Sequence, residues 1–167
     1  MSKIMKTFFK EYVPYIILIC IVILIKKFIV TPIRVNGPSM NSTLQNGDIM
    51  LLNEFSYKTN GIKRFDIVVI RYRNEYLIKR VIGLPGEVLE YKDNLLYING
   101  NVVDEDFEHA ETSDVEKIEV PQNEYYVLGD NRINSTDSRI IGSIPIEKIK
   151  GTTNRVIYPF KRMGKIN

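Results

Sequence analysis

The stretch YLIKRVIGLPGE, residues 76–87, predicts a buried strand that ends in a tight turn. Ile78 and Ile82 favour β structure, and residues 84–87 place proline and glycine at the two central positions of a turn. Lys79 interrupts this apolar stretch. Lysine is among the side chains least often fully buried, because removing an ammonium group from water is costly. A lysine in this position therefore requires an explanation.

The chain after residue 34 shows a pattern of short strands and turns. The stretch LLYINGNVV, residues 95–103, predicts a hairpin, because Asn-Gly suits a type I′ turn. No long helical period is present in this part of the sequence. These features predict an all-β, antiparallel body. The predicted strands are 47–53, 66–72, 76–82, 87–91, 95–98, 101–103, 124–128 and 153–158.

Charge is distributed unevenly along the 167 residues. The net charge is +3, but residues 1–34 carry +5 and the remainder carries −2. A nucleic-acid-binding domain needs a basic patch on its folded surface, and this body is slightly acidic. The composition therefore argues against nucleic acid as a partner.

The N-terminal segment has the character of a membrane anchor. Residues 12–25 carry no charge, and a helix of this length spans about 21 Å against about 30 Å of hydrocarbon. Extension to residue 30 spans the bilayer if Lys26 and Lys27 reach the far interface. A cleaved secretory signal peptide is the alternative, but its cleavage site needs small residues, and the chain's only alanine is Ala110. The expected divisions are an N-terminal segment at 1–11, an anchor at 12–30 and a β domain at 31–167.

An acidic stretch, residues 104–119, interrupts the strand pattern. It contains eight acidic residues and one lysine, and we interpret it as a solvated surface excursion within a variable region at about 92–122. His109, the single histidine, lies in it, so a zinc site or a Ser-His-Asp triad would depend on that residue. We expect His109 to be exposed, and we expect no metal site.

Ser39 lies in the segment VNGPSMNSTL, residues 35–44, directly after a Gly-Pro turn. A serine at such a place is usually only a turn residue, and a strand lysine usually faces water. Alternation along the strand puts Lys79 and Arg80 on opposite faces, so Lys79 lies among apolar neighbours if Arg80 faces the polar side. An unperturbed lysine is neutral in about one molecule in 10³ at pH 7, and burial can lower its pKa by ~3–5 units. A neutral amine can then take the proton of a serine hydroxyl and make it an acyl-transfer nucleophile.

A third segment, LGDNRINSTDSRIIG at residues 128–142, is polar and rich in groups that bond to one another. Together with GPSM at 37–40 and IKRVIGLPGE at 78–87, it stands in the order and spacing of type I signal peptidases, which the chain resembles from about residue 12 to 151. These are membrane-bound Ser-Lys proteases that remove signal peptides from exported proteins. The resemblance implies an antiparallel β fold with a smaller inserted β subregion, preceded by one transmembrane helix. The short chain and the glycine two residues before Ser39 resemble the enzymes of Gram-positive bacteria.

The resemblance implies a role for each matching residue. Ser39 would be the nucleophile, Lys79 the general base, and Ser135 the residue whose hydroxyl holds the lysine amine. Some members place, two residues before the nucleophile, a serine whose hydroxyl helps to hold the oxyanion. This chain has Gly37 at that position, so the Ser39 backbone N–H, together with Gly37, would hold the oxyanion instead. The implied supporting residues are Arg80, Asp130, Asp137 and Arg139.

The resemblance also implies a substrate and a location. An extended peptide would pair with backbone beside the site. Shallow apolar pockets would admit only small side chains at positions −1 and −3, counted back from the cleaved bond, which implies a preference for Ala-X-Ala. Preprotein signal peptides, the lipid bilayer and the secretion translocon would be the partners, with no cofactor and no nucleic acid. The chain would cross the cell membrane once, with its N-terminus cytoplasmic and its catalytic domain outside. The implied substrate-binding residues are Val35, Asn36, Gly37, Met40, Leu44, Leu77 and Ile78.

Three other kinds of protein share parts of this pattern. A self-cleaving repressor uses the same Ser-Lys chemistry, but it needs a DNA-reading domain where this chain has its apolar segment. A signal-peptidase-like pilus assembly factor keeps the fold without catalysis and is recognised by missing catalytic residues, whereas Ser39 and Lys79 are both present. A membrane-tethered β domain that only binds peptides is the third.

Overall fold

The computed structural model describes residues 3–27, 31–55 and 61–166. It divides into two compact units, residues 1–30 and 31–167. The first unit contains the helix α1 (Lys3–Lys27). Within the described ranges, no helix combines the length and the apolar character needed to cross a membrane. Residues 28–30 of the predicted anchor lie outside those ranges.

The second unit is built almost entirely from short strands. In chain order they are β1 (Thr31–Arg34), β2 (Ile49–Leu52), β3 (Ile67–Tyr72), β4 (Glu75–Gly83), β5 (Val88–Lys92), β6 (Leu95–Ile98), β7 (Asn101–Val103), β8 (Val115–Glu119), β9 (Glu124–Leu128), β10 (Ile144–Pro145), β11 (Ile149–Thr153), β12 (Arg155–Tyr158) and β13 (Gly164–Lys165). A one-turn helix, α2 (Ser138–Ile141), precedes β10, and 3-10 turns lie at Ile146–Lys148 and Phe160–Arg162.

These strands form three sheets in the described part of the chain, with the orders β1-β2-β12-β13, β10-β9-β4-β3-β11 and β7-β6-β5-β8. Every pairing is antiparallel. The prediction of an all-β, antiparallel body is therefore confirmed. The third sheet is inserted between β4 and β9, where the resemblance predicts a smaller β subregion.

The five-stranded sheet lies at the centre of the apolar core. Residues 67–70 of β3 are buried without interruption, which is typical of a strand covered on both faces. Val68 and Ile70 pack in one apolar cluster, and Ile67 packs in another. The side chains of β4 therefore reach the interior on either face, and this places Lys79 in the core.

The predicted strands all appear, three of them with the predicted ends and the others with ends shifted by at most two residues. Several strands escaped prediction, among them β1, β8 and β11. In β11, Gly151 breaks the pattern of β-forming residues, and a Cβ added there would lie 2.5 Å from the carbonyl oxygen of Asn53. The glycine is needed because the two chain segments approach closely, which a propensity argument cannot detect.

The prediction of a solvated excursion at residues 104–119 is correct for most of its acidic side chains, which are exposed, but wrong for the segment as a whole. Residues 115–119 form β8, which pairs with β5, and Thr112 is buried. The side chain of His109 is only 14% exposed, so the expectation of an exposed histidine is also wrong. Of the acidic residues that precede β8, Glu105 is turned toward the interior and the others are exposed. The contacts of Glu105 are described below.

Candidate active site

Strand β4 changes its partners halfway along its length. Its first half, from Glu75 to Arg80, pairs with β3. Its second half, from Arg80 to Gly83, pairs with β9 on the other edge. The edge of the first half that faces away from β3 has no strand partner in the described residues. Lys79 stands at the end of this open half, at the point where β9 begins to cover the strand.

The side chains of Ser39 and Lys79 meet at this point, although they are 40 positions apart in the sequence. The Nζ atom of Lys79 lies 2.8 Å from the Oγ atom of Ser39 and 3.0 Å from the backbone carbonyl oxygen of Ile78. Lys79 is 2% exposed. A distance of 2.8 Å allows direct proton transfer between the hydroxyl and the amine.

The environment of Lys79 favours its neutral form. Burial lowers the pKa of Lys79 from 10.5 to about 8, although the charges of Asp137 and Asp130 act to raise it. At pH 7 such an amine is neutral in about one molecule in ten, against about one in three thousand at pKa 10.5. The difference removes about 3 kcal/mol of the cost of deprotonating the amine. The side chain can therefore serve as a general base near neutral pH.

The backbone around Ser39 is held by the loop at residues 129–139. The Asn131 N–H donates to the Ser39 carbonyl oxygen at 3.1 Å, and the Asn131 side-chain amide donates to the Pro38 carbonyl at 3.2 Å. Gly129 lies so close that an added Cβ would be 2.4 Å from the Ser39 carbonyl oxygen. Only glycine fits at position 129, and its absence of a side chain lets the loop approach the serine.

Arg80 and Asp130 form a buried ion pair behind the site. The Nε and Nη2 atoms of Arg80 donate to the two Asp130 carboxylate oxygens at 2.9 and 2.8 Å. The Thr43 hydroxyl donates to Asp130 at 2.6 Å, and Arg80 also donates to the Phe65 carbonyl at 3.0 Å. The sequence argument put Arg80 on a polar face, and that face is an interior one, where Arg80 is 1% exposed. Such a pair fixes geometry, because removal of one partner would leave an uncompensated buried charge.

Asp137 and Arg139 form a second pair within the loop. Two Arg139 nitrogens donate to the two Asp137 oxygens at 2.9 and 2.8 Å. Asp137 is fully buried, caps the N-terminus of α2 and accepts the Gly129 N–H at 3.1 Å. This carboxylate therefore holds both ends of the loop together.

Ser135 lies against Gly129, and its hydroxyl has no hydrogen-bond partner among the described residues. A Cβ added at Gly129 would lie 2.3 Å from the Ser135 Oγ atom, so the hydroxyl is packed beside the same glycine that supports Ser39. The structure does not join Ser135 to the Lys79 amine by a hydrogen bond. The role that the resemblance gives to Ser135 stays a prediction.

The backbone before Ser39 has the conformation that glycine favours. Gly37 has φ of +88°, and its N–H donates to the Asn46 side-chain oxygen at 3.1 Å. A Cβ at position 37 would meet no atom within 4 Å, so space is open there. The Gly37 N–H is already engaged, and Pro38 has none, which leaves the Ser39 N–H as the backbone donor for an oxyanion at this turn.

A cleft of about 800 Å³ runs from the Ser39–Lys79 pair between β1 and the open half of β4. Five of the seven predicted substrate-binding residues line it, namely Val35, Asn36, Met40, Leu77 and Ile78. Leu44 does not, because it is fully buried in the apolar core beside Met50. Gly37 is not among the lining residues either. The assignment of Leu44 to a substrate pocket is therefore wrong, since an apolar residue near a serine can equally belong to the core.

Sequence reasoning missed several residues that hold the site together. Thr43 donates to Asp130, and Asn131 donates to the Ser39 carbonyl, as described above. Arg132 is buried in the same loop. Asn131 and Arg132 lie in the polar segment at 128–142. A charged side chain next to small residues in such a segment is a sequence signal that it supports a site. No group of three or more potential metal ligands occurs among the described residues.

Comparison with known proteins identifies the family of the chain. Residues 8–158 match the family model described as signal peptidase, peptidase S26. The chain is 39% identical to signal peptidase I S of Bacillus subtilis, over 91% of this chain and 90% of that one. It is 36% identical to signal peptidase IB of Staphylococcus aureus, over 90% and 92% of the two chains. A crystal structure of a signal peptidase I from Enterococcus faecalis V583 superimposes with a TM-score of 0.50 at 37% identity, covering 55% of this chain and 95% of that one.

The chain therefore belongs to the signal peptidase family, peptidase S26. It is a signal peptide-cleaving peptidase of the signal peptidase I class, and its substrates are preproteins that carry signal peptides.

Proposed function

We propose that the protein is a membrane-tethered serine endopeptidase that cleaves exported preproteins after Ala-X-Ala-like sites, with Ser39 as nucleophile and neutral Lys79 as general base. The observation that carries this proposal is the 2.8 Å separation of Ser39 Oγ and Lys79 Nζ at a buried position. An inert member of the family that only binds peptides would have no need for a lysine held in this costly environment.

The chemistry follows from these two groups. The Lys79 amine accepts the Ser39 hydroxyl proton as Oγ attacks the carbonyl carbon of the −1 residue, and the Ser39 N–H donates to the oxyanion that forms. The resulting Lys79 ammonium gives its proton to the departing amine of the mature protein, which leaves an acyl-enzyme. Lys79 then deprotonates a water molecule, whose attack on the ester releases the signal peptide and restores the Ser39 hydroxyl.

Two strand edges support the binding of an extended peptide. Among the described residues, β1 pairs only with β2, and the first half of β4 pairs only with β3. Each strand therefore presents to the cleft an edge without a partner in that part of the chain. A peptide in extended conformation can bond to both edges through its main chain, which is β-strand addition. The scissile bond then lies at the end of the cleft where Ser39 and Lys79 meet.

The apolar residues near the dyad support a preference for small side chains. Val35 and Met40 line the cleft, yet they are only 2% and 1% exposed. Their side chains already fill the core, so a large substrate side chain at −1 would displace packed atoms, which costs free energy. Alanine at −1 and −3 fits such shallow surfaces.

The open space at Gly37 bears on how the oxyanion is held. A missing oxyanion donor typically reduces the rate by ~10²–10³-fold. In this chain the Ser39 N–H supplies one donor, and the vacant volume beside Gly37 has room for a water molecule as the second. The hydrogen bond from the Gly37 N–H to the Asn46 side chain supports the conformation of the turn that precedes Ser39.

The N-terminal segment supplies the tether in this proposal. Residues 12–25 are uncharged, and the described part of them is helical. An anchor would put the peptidase in the bilayer where signal peptides arrive, beside the secretion translocon, and raise the effective concentration of both partners. A single crossing with the N-terminus cytoplasmic leaves residues 31–167 outside the membrane. Recovery of the full chain in the membrane fraction of cells is what this part of the proposal requires.

The proposed function is tested by cleavage of a purified preprotein. The full chain in detergent should cut after the Ala-X-Ala site, and sequencing of the product should find the residue after −1 at its N-terminus. A matched preprotein with leucine at −1 should be cut about 10²-fold more slowly, because the side chain misplaces the scissile carbonyl. Equal cleavage of both substrates, or a product that begins elsewhere, would contradict the proposed specificity.

A substitution at Ser135 distinguishes a positioning role from a packing role. Its hydroxyl is buried without a partner among the described residues, so Ser135→Ala removes no hydrogen bond present in this structure and should not destabilise the fold. We expect kcat to fall about 10²-fold, because in the role that the resemblance implies the Ser135 hydroxyl holds the Lys79 amine during turnover. Ser143→Ala is the matched control. A wild-type kcat in Ser135→Ala, measured with unchanged thermal unfolding, would show that Ser135 only packs against Gly129.

A further inference from the structure

Residues 104–112 form a strap that covers the site from behind. Along it, Glu105, Phe107 and His109 are partly or largely buried, whereas Asp106 and Glu108 are exposed. This alternation is that of an extended chain with one face on the protein. The strap is therefore a docked segment whose inward side chains can be assigned contacts.

Glu105 is the charged residue on the inward face of the strap, and its carboxylate is 5% exposed. It accepts from Arg132 Nη2 at 2.5 Å and from the Tyr91 hydroxyl at 2.9 Å. Burial raises the pKa of Tyr91, so that hydroxyl stays protonated and remains a donor. His109 Nε2 lies 3.5 Å from the other carboxylate oxygen, and Thr112 accepts from Arg132.

Arg132 connects Glu105 to the loop at residues 129–139, which supports the Ser39–Lys79 pair. Its side chain is completely buried, and its Nε donates to the Gly129 carbonyl at 3.1 Å. Its own carbonyl accepts from Arg139 at 2.6 Å, and Arg139 is paired with Asp137. Glu105 therefore neutralises a side chain, that of Arg132, which bonds both to the strap and to Gly129, the glycine packed against Ser39.

The strap makes two further contacts on the same region. The guanidinium of Arg80 lies 3.9 Å from the centroid of the Phe107 ring, a close cation–π contact, and Arg80 is the strand neighbour of Lys79. The Ala110 N–H donates to the Asp130 carbonyl at 2.9 Å. The strap thus contacts both buried arginines and the backbone of the loop, and none of these contacts involves the substrate cleft.

We propose that Glu105 is a positioning residue of the peptidase reaction, which acts through Arg132 on the loop at 129–139 and thereby on Ser39. This inference rests on the proposed Ser39–Lys79 function. Without the Glu105 charge, the Arg132 cation would be buried with only neutral acceptors around it, which is costly. Arg132 would then shift toward other carboxylates or water, and the loop that bonds to it would move as well. A displacement of the serine by about 1 Å is enough to reduce turnover about 10²-fold.

The test compares Glu105→Gln with Glu108→Gln in the full chain. Glutamine keeps the size of the side chain and removes its charge, and Glu108 is the exposed residue three positions further along the strap. We expect Glu105→Gln to lower kcat about ten- to hundredfold, with KM within about twofold because the cleft is untouched. Glu105→Asp, which keeps the charge at shorter reach, should retain an intermediate kcat.

A double-mutant cycle shows whether the effect passes through Arg132. In an Arg132→Met background, Glu105→Gln should change kcat by less than about twofold, since the partner of the carboxylate is already gone. The same fall in both backgrounds would overturn the proposal, and so would a kcat equal to that of Glu108→Gln. Rates are taken per folded molecule below the unfolding temperature. If Glu105→Gln does not fold, Glu105→Asp replaces it, and a wild-type kcat there overturns the proposal.

The same experiment separates this inference from the proposed function. Cleavage that persists in Ser39→Ala would refute the Ser39–Lys79 assignment, whatever the effect of Glu105→Gln. An inactive Ser39→Ala combined with an unaffected Glu105→Gln would refute the positioning role alone.

Discussion

Ser39→Ala should abolish cleavage of preproteins. The substitution removes the only atom that the proposed mechanism uses to attack the scissile carbonyl, and it leaves the strand edges and the pockets in place. A loss of about 10⁴–10⁶-fold in kcat is expected for removal of a nucleophile, whereas peptide binding should persist. Both quantities are measured on the purified full chain, by product formation over hours and by binding of a labelled signal peptide.

The control for this prediction is Ser113→Ala. Ser113 is an exposed serine outside the cleft, so its loss should change neither kcat nor binding. Turnover in Ser39→Ala within tenfold of the wild-type rate would mean that another group attacks the carbonyl, and the dyad would have to be abandoned.

Lys79→Arg should be almost as damaging, although it preserves the positive charge and much of the length of the side chain. A guanidinium does not lose its proton in a protein, so it cannot accept the proton of Ser39. A positioned general base typically contributes 10²–10⁴-fold, and we expect a loss of at least about 10³-fold in kcat. The arginine can still bond to nearby oxygens, so a merely structural lysine would tolerate the change far better. Lys148→Arg, at an exposed position, is the matched control.

The wild-type pH profile checks the same assignment independently. The pKa of Lys79 is lowered by burial to about 8, and only the deprotonated amine is active in the mechanism. The value of kcat/KM should therefore rise with pH through about 8 and level off above it. A profile that is flat from pH 6 to 9, or measurable turnover in Lys79→Arg, would show that a different base is used.

The sequence predicts the place of Lys79 well, because strand alternation and apolar neighbours are local properties. Its partner could be named only through the resemblance, since Ser39 lies 40 positions away and no local pattern carries that contact. The burial of Arg80 was beyond sequence reasoning for the same reason. An arginine is expected to face water unless a buried carboxylate matches it, and Asp130 reaches it only in the folded chain.

The acidic stretch is the opposite case, because a local pattern is present there and its average composition hides it. Composition suggested a solvated excursion, because acidic side chains are mostly exposed. The alternation of Glu105, Phe107 and His109 with exposed acids has the period of an extended chain, and it was visible in the sequence. Average charge therefore concealed a period-two pattern that a position-by-position reading would have detected.

Leu44 illustrates a limit that applies to pockets in general. The residue is apolar and near Ser39 in sequence, and these two properties fit a substrate pocket and a core position equally well. The structure buries Leu44 beside Met50 in the core, because the turn after Ser39 directs it inward. Which side of a turn a residue faces depends on the backbone conformation of the preceding residues, including the φ of +88° at Gly37.

The unpaired edges of β1 and of the first half of β4 have a consequence for the range of clients that one enzyme can process. Main-chain amides and carbonyls are the same in every polypeptide, so a substrate held mainly through them is recognised by its extended shape rather than by its sequence. In the proposed binding mode, only the two side chains at −1 and −3 need to be small. If the proposed binding mode holds, a single peptidase can mature many unrelated secretory proteins, and selectivity among them is left to the few residues that flank each cleavage site.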